Sequence, residues 1–232
     1  MWSKESNDGE QPMARAQHVA VNPSKKDCPE KADCVFIFGG HATPTRRLND
    51  CWWLEVKGAE CNWKRVTGCK DVEPNQESTI GAPGPRANCG YCYAEGKIYI
   101  YGGHGGLGYK RFAYDDIYSF DCATETWTKH EAKSESTQNQ VGRGGNSIFV
   151  TNGRLYTYGG WNSESQFDRL TYFDFSSGEW QDDDVLTKLP RWNHSYYLAE
   201  AIPSSKFFVF GGEAEHFNEG EPRAFGKVTN SV

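Results

Sequence analysis

Charged and aromatic side chains in this sequence collect on four short stretches, each directly after a pair of glycines. The first holds His41, Arg46 and Arg47, and the second holds His104, Tyr109, Lys110, Arg111 and Phe112. Trp161, Phe167 and Arg169 follow the third pair, and Glu213, His216 and Phe217 follow the fourth. Cations pair with carboxylates, and aromatic rings add rigid apolar contact area, so the mixture has the chemistry of a protein-binding surface. It predicts capture of a protein segment, an acidic one by preference.

Other spacings that could do chemistry lose their force in context. Gly103-His104-Gly105-Gly106-Leu107-Gly108 matches a dinucleotide-binding pattern, but the following Tyr109-Lys110-Arg111-Phe112-Ala113-Tyr114 leads into another β-prone run and not into a helix. Cys89 and Cys92 have redox or zinc spacing, yet in a strand residues three apart face opposite ways, so they read as packing thiols. Cys28, Cys34, Cys51, Cys61 and Cys69 are irregularly spaced and fit no zinc pattern. Asp182-Asp183-Asp184 reads as a solvated acidic turn between units. No nucleophile elbow, phosphate loop or His-Glu metal helix occurs, so the sequence predicts no catalytic residue, metal or cofactor.

Composition narrows the partners. Net charge is −6, mean hydropathy is −0.74 and pI is about 5.6. No block of Lys and Arg interleaves with aromatics, which disfavours nucleic acid. No apolar run approaches the roughly 20 residues that cross a bilayer, so no membrane insertion is expected. Residues 1–13 are polar without a leader's apolar stretch, pointing to an intracellular, cytoplasmic setting and to eight reduced cysteines.

The elements that must position these residues repeat. Val35-Phe36-Ile37-Phe38, Ile98-Tyr99-Ile100-Tyr101, Leu155-Tyr156-Thr157-Tyr158 and Phe207-Phe208-Val209-Phe210 each run into a glycine pair, with the second glycines at 40, 103, 160 and 212. Upstream of each stands an arginine opening a β-prone segment: Arg15, Arg86, Arg143 and Arg191. Downstream comes a run ending in an acid, Glu55, Asp121 or Asp174, then Trp63, Trp127 or Trp180. Each complete unit predicts four strands.

The pattern resembles the kelch repeat, and the resemblance covers residues 14–232. It implies an all-β propeller with one four-stranded sheet per blade: blades at about 14–82, 83–140 and 141–189, and the first half of a fourth over 190–232, after a flexible tail at 1–13. It further implies a non-catalytic interaction scaffold in a larger assembly, a cytoskeletal or ciliary complex or a ubiquitin-ligase adaptor. Some propellers of this kind are enzymes, copper-radical oxidases or sugar isomerases, and His41 and His104 would be ligand candidates in that alternative.

Three expectations follow from antiparallel topology. The leading arginines and the stretches after the glycine pairs open on one face of the propeller, where each arginine either meets a partner or bonds to backbone or to an acid of the neighbouring blade. Val35, Ile37, Ile98, Ile100, Tyr156, Tyr158, Phe208 and Phe210 should be buried between blades. Three and a half blades leave the ring open, so further blades from the same or another chain are needed to close it, and residues 1–232 alone should be aggregation-prone.

Overall fold

Each glycine pair ends a strand in a left-handed backbone conformation. In a computed structural model describing residues 9–44, 46–58, 60–66, 81–106, 111–133, 140–186, 190–199, 206–214 and 227–228, Gly102 has φ 72° and Gly103 has φ 92°. A Cβ on Gly102 would lie 2.2 Å from the carbonyl oxygen of Arg143, and one on Gly39 would lie 2.7 Å from that of Arg86. The doublet is therefore required twice over, by a conformation that L side chains avoid and by the next blade's backbone pressing on the first glycine.

Blade one comprises β1 (Val19–Val21), β2 (Asp33–Phe38), a ribbon of β3 (His41–Thr43) and β4 (Arg46–Arg47), then β5 (Cys51–Lys57) and β6 (Glu60–Arg65). Blade two comprises β7 (Gly90–Ala94), β8 (Lys97–Tyr101), the ribbon β9 (His104–Gly105) with β10 (Phe112–Ala113), β11 (Ile117–Asp121) and β12 (Thr126–His130). Blade three has β13 (Ser147–Thr151), β14 (Arg154–Tyr158), β15 (Arg169–Asp174) and β16 (Glu179–Leu186). Then come β17 (Ser195–Ala199), β18 (Lys206–Phe210) and the ribbon β19 (Glu213–Ala214) with β20 (Lys227–Val228). The sheets run β1-β2-β5-β6, β7-β8-β11-β12 and β13-β14-β15-β16, each antiparallel throughout, and β17 pairs with β18 alone. The expected three four-stranded blades and partial fourth are present, and the ring is not closed. Tight hairpins at Glu95-Gly96 and Asn152-Gly153 have positive φ at both residues.

Strand alternation sends odd and even side chains of each glycine-ended strand to opposite neighbours. Phe36 and Phe38 of blade one meet Ile98, Ile100, Phe120 and Trp127 of blade two, with Phe36 stacked on Phe120 at 4.6 Å between ring centroids. Tyr99 and Tyr101 of blade two meet Leu155, Phe173 and Trp180 of blade three. Cys89 packs at the first seam and Cys92 at the second, on opposite faces as expected. Burial pushes both thiols up to about 12, which keeps them neutral packing groups.

The same alternation corrects the burial expectation. Ile37, Ile98, Ile100 and Tyr158 are buried, but Val35 and Tyr156 are only half-buried. Phe208 and Phe210 are 47% and 54% exposed, because they lie on the side of β18 turned away from blade three. Two further expectations change. Cys28 and Cys34 are joined in a disulfide, not reduced: two 3₁₀ turns at Lys25–Asp27 and Pro29–Lys31 fold Cys28 back until the two Cα atoms stand 6.1 Å apart. Asp182-Asp183-Asp184 belongs to the eight-residue strand β16 rather than to a turn.

Candidate functional site

One position per blade builds the axis of the molecule. Gln17, Asn88, Gly145 and Asn193 each stand two residues after a leading arginine, all with positive φ of 54°, 62°, 69° and 53°. Their backbones form a chain: Asn88 N–H donates to Gln17 O at 2.8 Å, Gly145 N–H to Asn88 O at 2.8 Å, and Asn193 N–H to Gly145 O at 2.9 Å. Beside this chain, single antiparallel bridges pair Ala16 with His41, Ala87 with His104, Gly144 with Trp161, and Trp192 with Glu213. The residue directly after each glycine pair is thereby brought to the axis. Gly144 makes room for this, since a Cβ there would lie 2.3 Å from the His104 ring.

The result is an axial funnel of about 360 Å³. Blade one supplies Gln17, His41, Pro44 and Arg47, and blade two supplies Ala87, Asn88, His104 and Arg111. Trp161 enters from blade three, with Trp192, Asn193 and Glu213 from blade four. Six residues expected at a binding face, His41, Arg47, His104, Arg111, Trp161 and Glu213, meet here. Gln17, Asn88, Trp192 and Asn193 had not been singled out. Their signal was available in the fixed offsets of one and two residues from the leading arginines.

The leading arginines themselves are buried. Arg15, Arg86, Arg143 and Arg191 each donate from Nη1 to the carbonyl of the first glycine in their own blade's pair, at 3.0, 3.1, 3.4 and 3.1 Å. Arg15 also grips Asp50 at 2.6 and 2.8 Å, and Arg86 grips Asp116. Each acid lies in the arginine's own blade, not in the neighbour as expected. Burial opposes charge on Arg86, but Asp116 more than offsets it, and the guanidinium pKa is raised. These arginines close strands together and leave partner contact to others.

The remaining expected residues divide. Phe167 covers the Arg143 guanidinium at 3.7 Å, as Tyr114 covers Arg86 at 3.6 Å, so it packs a blade. Arg169 pairs with Asp182 on the side of blade three at 3.7 Å. Arg46 and Phe112 are exposed beside the funnel on ribbons β3–β4 and β9–β10. Tyr109, Lys110, His216 and Phe217 lie outside the described residues.

The electrostatics of the funnel are lopsided. Burial, and then the nearby Arg111 charge, holds the Arg47 guanidinium below its usual range. Its Nε is buried without a hydrogen-bond partner. Burial, then Arg111, lowers the His104 pKa to about 4, and burial, then Arg47, lowers that of His41. No carboxylate among the described residues stands within ion-pair distance of Arg47 or Arg111. Two guanidinium groups thus share one mouth with two neutral imidazoles.

Comparison with known proteins adds the following. A family model described as the KLHDC2/KLHL20/DRC7 Kelch-repeats domain matches residues 1–212. The chain is 24% identical over 192 residues to Kelch domain-containing protein 3 of Rattus norvegicus, covering 80% of this chain and 46% of that protein, and matches the Mus musculus protein to the same extent. It is 30% identical over 137 residues to N-(sulfonatooxy)prop-2-enimidothioate sulfolyase of Thlaspi arvense, covering 56% of this chain and 36% of that protein. The chain therefore spans less than half the length of these relatives.

Proposed function

Because the chain belongs to the kelch-repeat family, whose members are generally protein-interaction scaffolds, we propose that it binds a protein partner without catalysis, taking an acidic segment into the axial funnel. The observation that carries this reading is the convergence of Arg47 and Arg111 without a carboxylate between them among the described residues. Like charges brought together in a half-buried mouth cost free energy, and an incoming carboxylate relieves that cost. Arg46 and Phe112, exposed beside the mouth, extend the contact, and Lys110 carries further positive charge on the same stretch of sequence. The setting that fits such a scaffold is intracellular and cytoplasmic, in a cytoskeletal or ciliary complex or as a ubiquitin-ligase adaptor.

The test is capture of a Glu-rich peptide by the protein and by its Arg47→Ser, Arg111→Ser double variant, followed across salt concentrations. Loss of capture with a shallower salt dependence is expected. Equal capture by both proteins refutes the reading. A catalytic reading draws on one observation, the similarity to the Thlaspi arvense sulfolyase. The oxidase alternative gains nothing from that similarity, because no group of three His, Cys, Asp or Glu that could hold a metal occurs among the described residues.

A further inference from the structure

The four residues that follow the glycine pairs occupy equivalent positions around the axis, yet they are not equivalent chemically. Blades one and two place His41 and His104 there, with Arg47 and Arg111 alongside, whereas blades three and four place Trp161 and Glu213. Trp161 and Trp192 lie with ring centroids 6.3 Å apart at 27°, forming a two-indole wall. Glu213 adjoins that wall, because its backbone pairs with Trp192 through hydrogen bonds of 2.9 and 3.1 Å. Its Oε1 accepts from Asn193 Nδ2 at 3.0 Å, which fixes the carboxylate at the funnel side. Among the described residues no cation of the protein lies over either indole.

Indole faces beside a carboxylate are what a cationic side chain seeks, through attraction to the ring quadrupole together with a charged hydrogen bond. A single funnel thus has an anion-seeking wall on blades one and two and a cation-seeking wall on blades three and four. At about 360 Å³ it has room for a few side chains. We propose that the funnel selects a protein segment carrying an acidic and a basic residue close together, the acid held by Arg47 and Arg111 and the base by Trp161, Trp192 and Glu213. This rests on the reading of the funnel as an acidic-segment site and adds a second, specificity-determining subsite to it. The second wall also acts against purely acidic segments, since Glu213 repels a carboxylate placed beside it.

The probes are peptides acetylated and amidated at their ends: Glu and Lys separated by none, one or two glycines, and the same peptides with Ala in place of Lys. Titration calorimetry against the whole protein should show the best Glu/Lys peptide binding roughly tenfold tighter than its Glu/Ala counterpart. Glu213→Gln keeps an acceptor for Asn193 and should erase most of that margin, weakening Glu/Lys binding and, with the repelling charge gone, strengthening Glu/Ala binding. Trp192→Ala should erase it too. Equal affinity for Glu/Lys and Glu/Ala peptides at every spacing would overturn the second subsite and leave the acidic one standing. A margin that survives both Glu213→Gln and Trp192→Ala would also overturn it. Failure of every peptide to bind would overturn both.

Discussion

Removing the Arg86 guanidinium should damage the fold far more than removing any arginine at the funnel rim. Arg86 is 1% exposed, donates to Gly84 O at 3.0 Å, Gly102 O at 3.1 Å and both oxygens of Asp116, and stacks on Tyr114. Arg86→Met retains most of the apolar bulk but strands Asp116, whose side chain is 18% exposed, without its counter-charge. Breaking a buried pair from one side costs about 3–5 kcal/mol, and the partial exposure of Asp116 places this case toward the lower end. For a chain of this size roughly 2–4 °C of melting temperature is lost per kcal/mol, so the midpoint by near-ultraviolet circular dichroism should fall by roughly 6–12 °C. Adding Asp116→Leu should recover part of that loss, because the uncompensated charge is gone although the two glycine carbonyls remain unserved. Arg46→Ala, at an exposed ribbon position, serves as the control and should stay within about 0.5 kcal/mol of the parent. An Arg86→Met protein melting within about 2 °C of the parent would refute the assignment of these arginines as strand ties.

Ile100→Ala at the seam between blades one and two, where Ile100 is fully buried, should cost about 2–5 kcal/mol, read as a lowered midpoint in urea unfolding. Stability should also depend on His104: its pKa is about 4 in the fold against an ordinary 6.5, so the unfolded chain binds a proton that the folded chain refuses. The contribution is present above pH 6.5 and is lost as pH falls toward 4, reaching about 3 kcal/mol at 1.36 kcal/mol per unit; His104→Gln should remove that share of the acid destabilisation and leave the share of His194, whose pKa burial likewise lowers to about 4. Mild reduction should free two thiols from Cys28–Cys34 and lower stability by about 2 kcal/mol for so short a loop. A Cys28→Ser variant that melts like the parent and does not respond to reductant would leave the crosslink without a stabilising role.

The blades were legible in the sequence because each is specified locally. Strands such as Ile98-Tyr99-Ile100-Tyr101 announce themselves by β-prone residues and a terminal glycine pair, and hairpins such as Asn152-Gly153 by residues that tolerate positive φ. Kelch blades repeat that local code, so the number of units and the side on which the arginines and the loops emerge could be read without coordinates. What a side chain then does depends on which distant residue it meets. Arg86 and Arg47 are both arginines near a glycine pair, but the first finds Asp116 and two carbonyls in the interior, whereas the second meets Arg111 in a mouth shared by four blades. Phe208 repeats Tyr99 in the pattern, yet it is exposed because no described blade lies against it. Trp192 and Glu213 stand 21 positions apart in the chain and pair only because β17 and β18 bring their ends together. Cys28 reaches Cys34 only because the short turn at Pro29–Lys31 reverses the chain between them. Periodicity records which way each side chain points along its own strand, and the tertiary structure alone decides what stands opposite it.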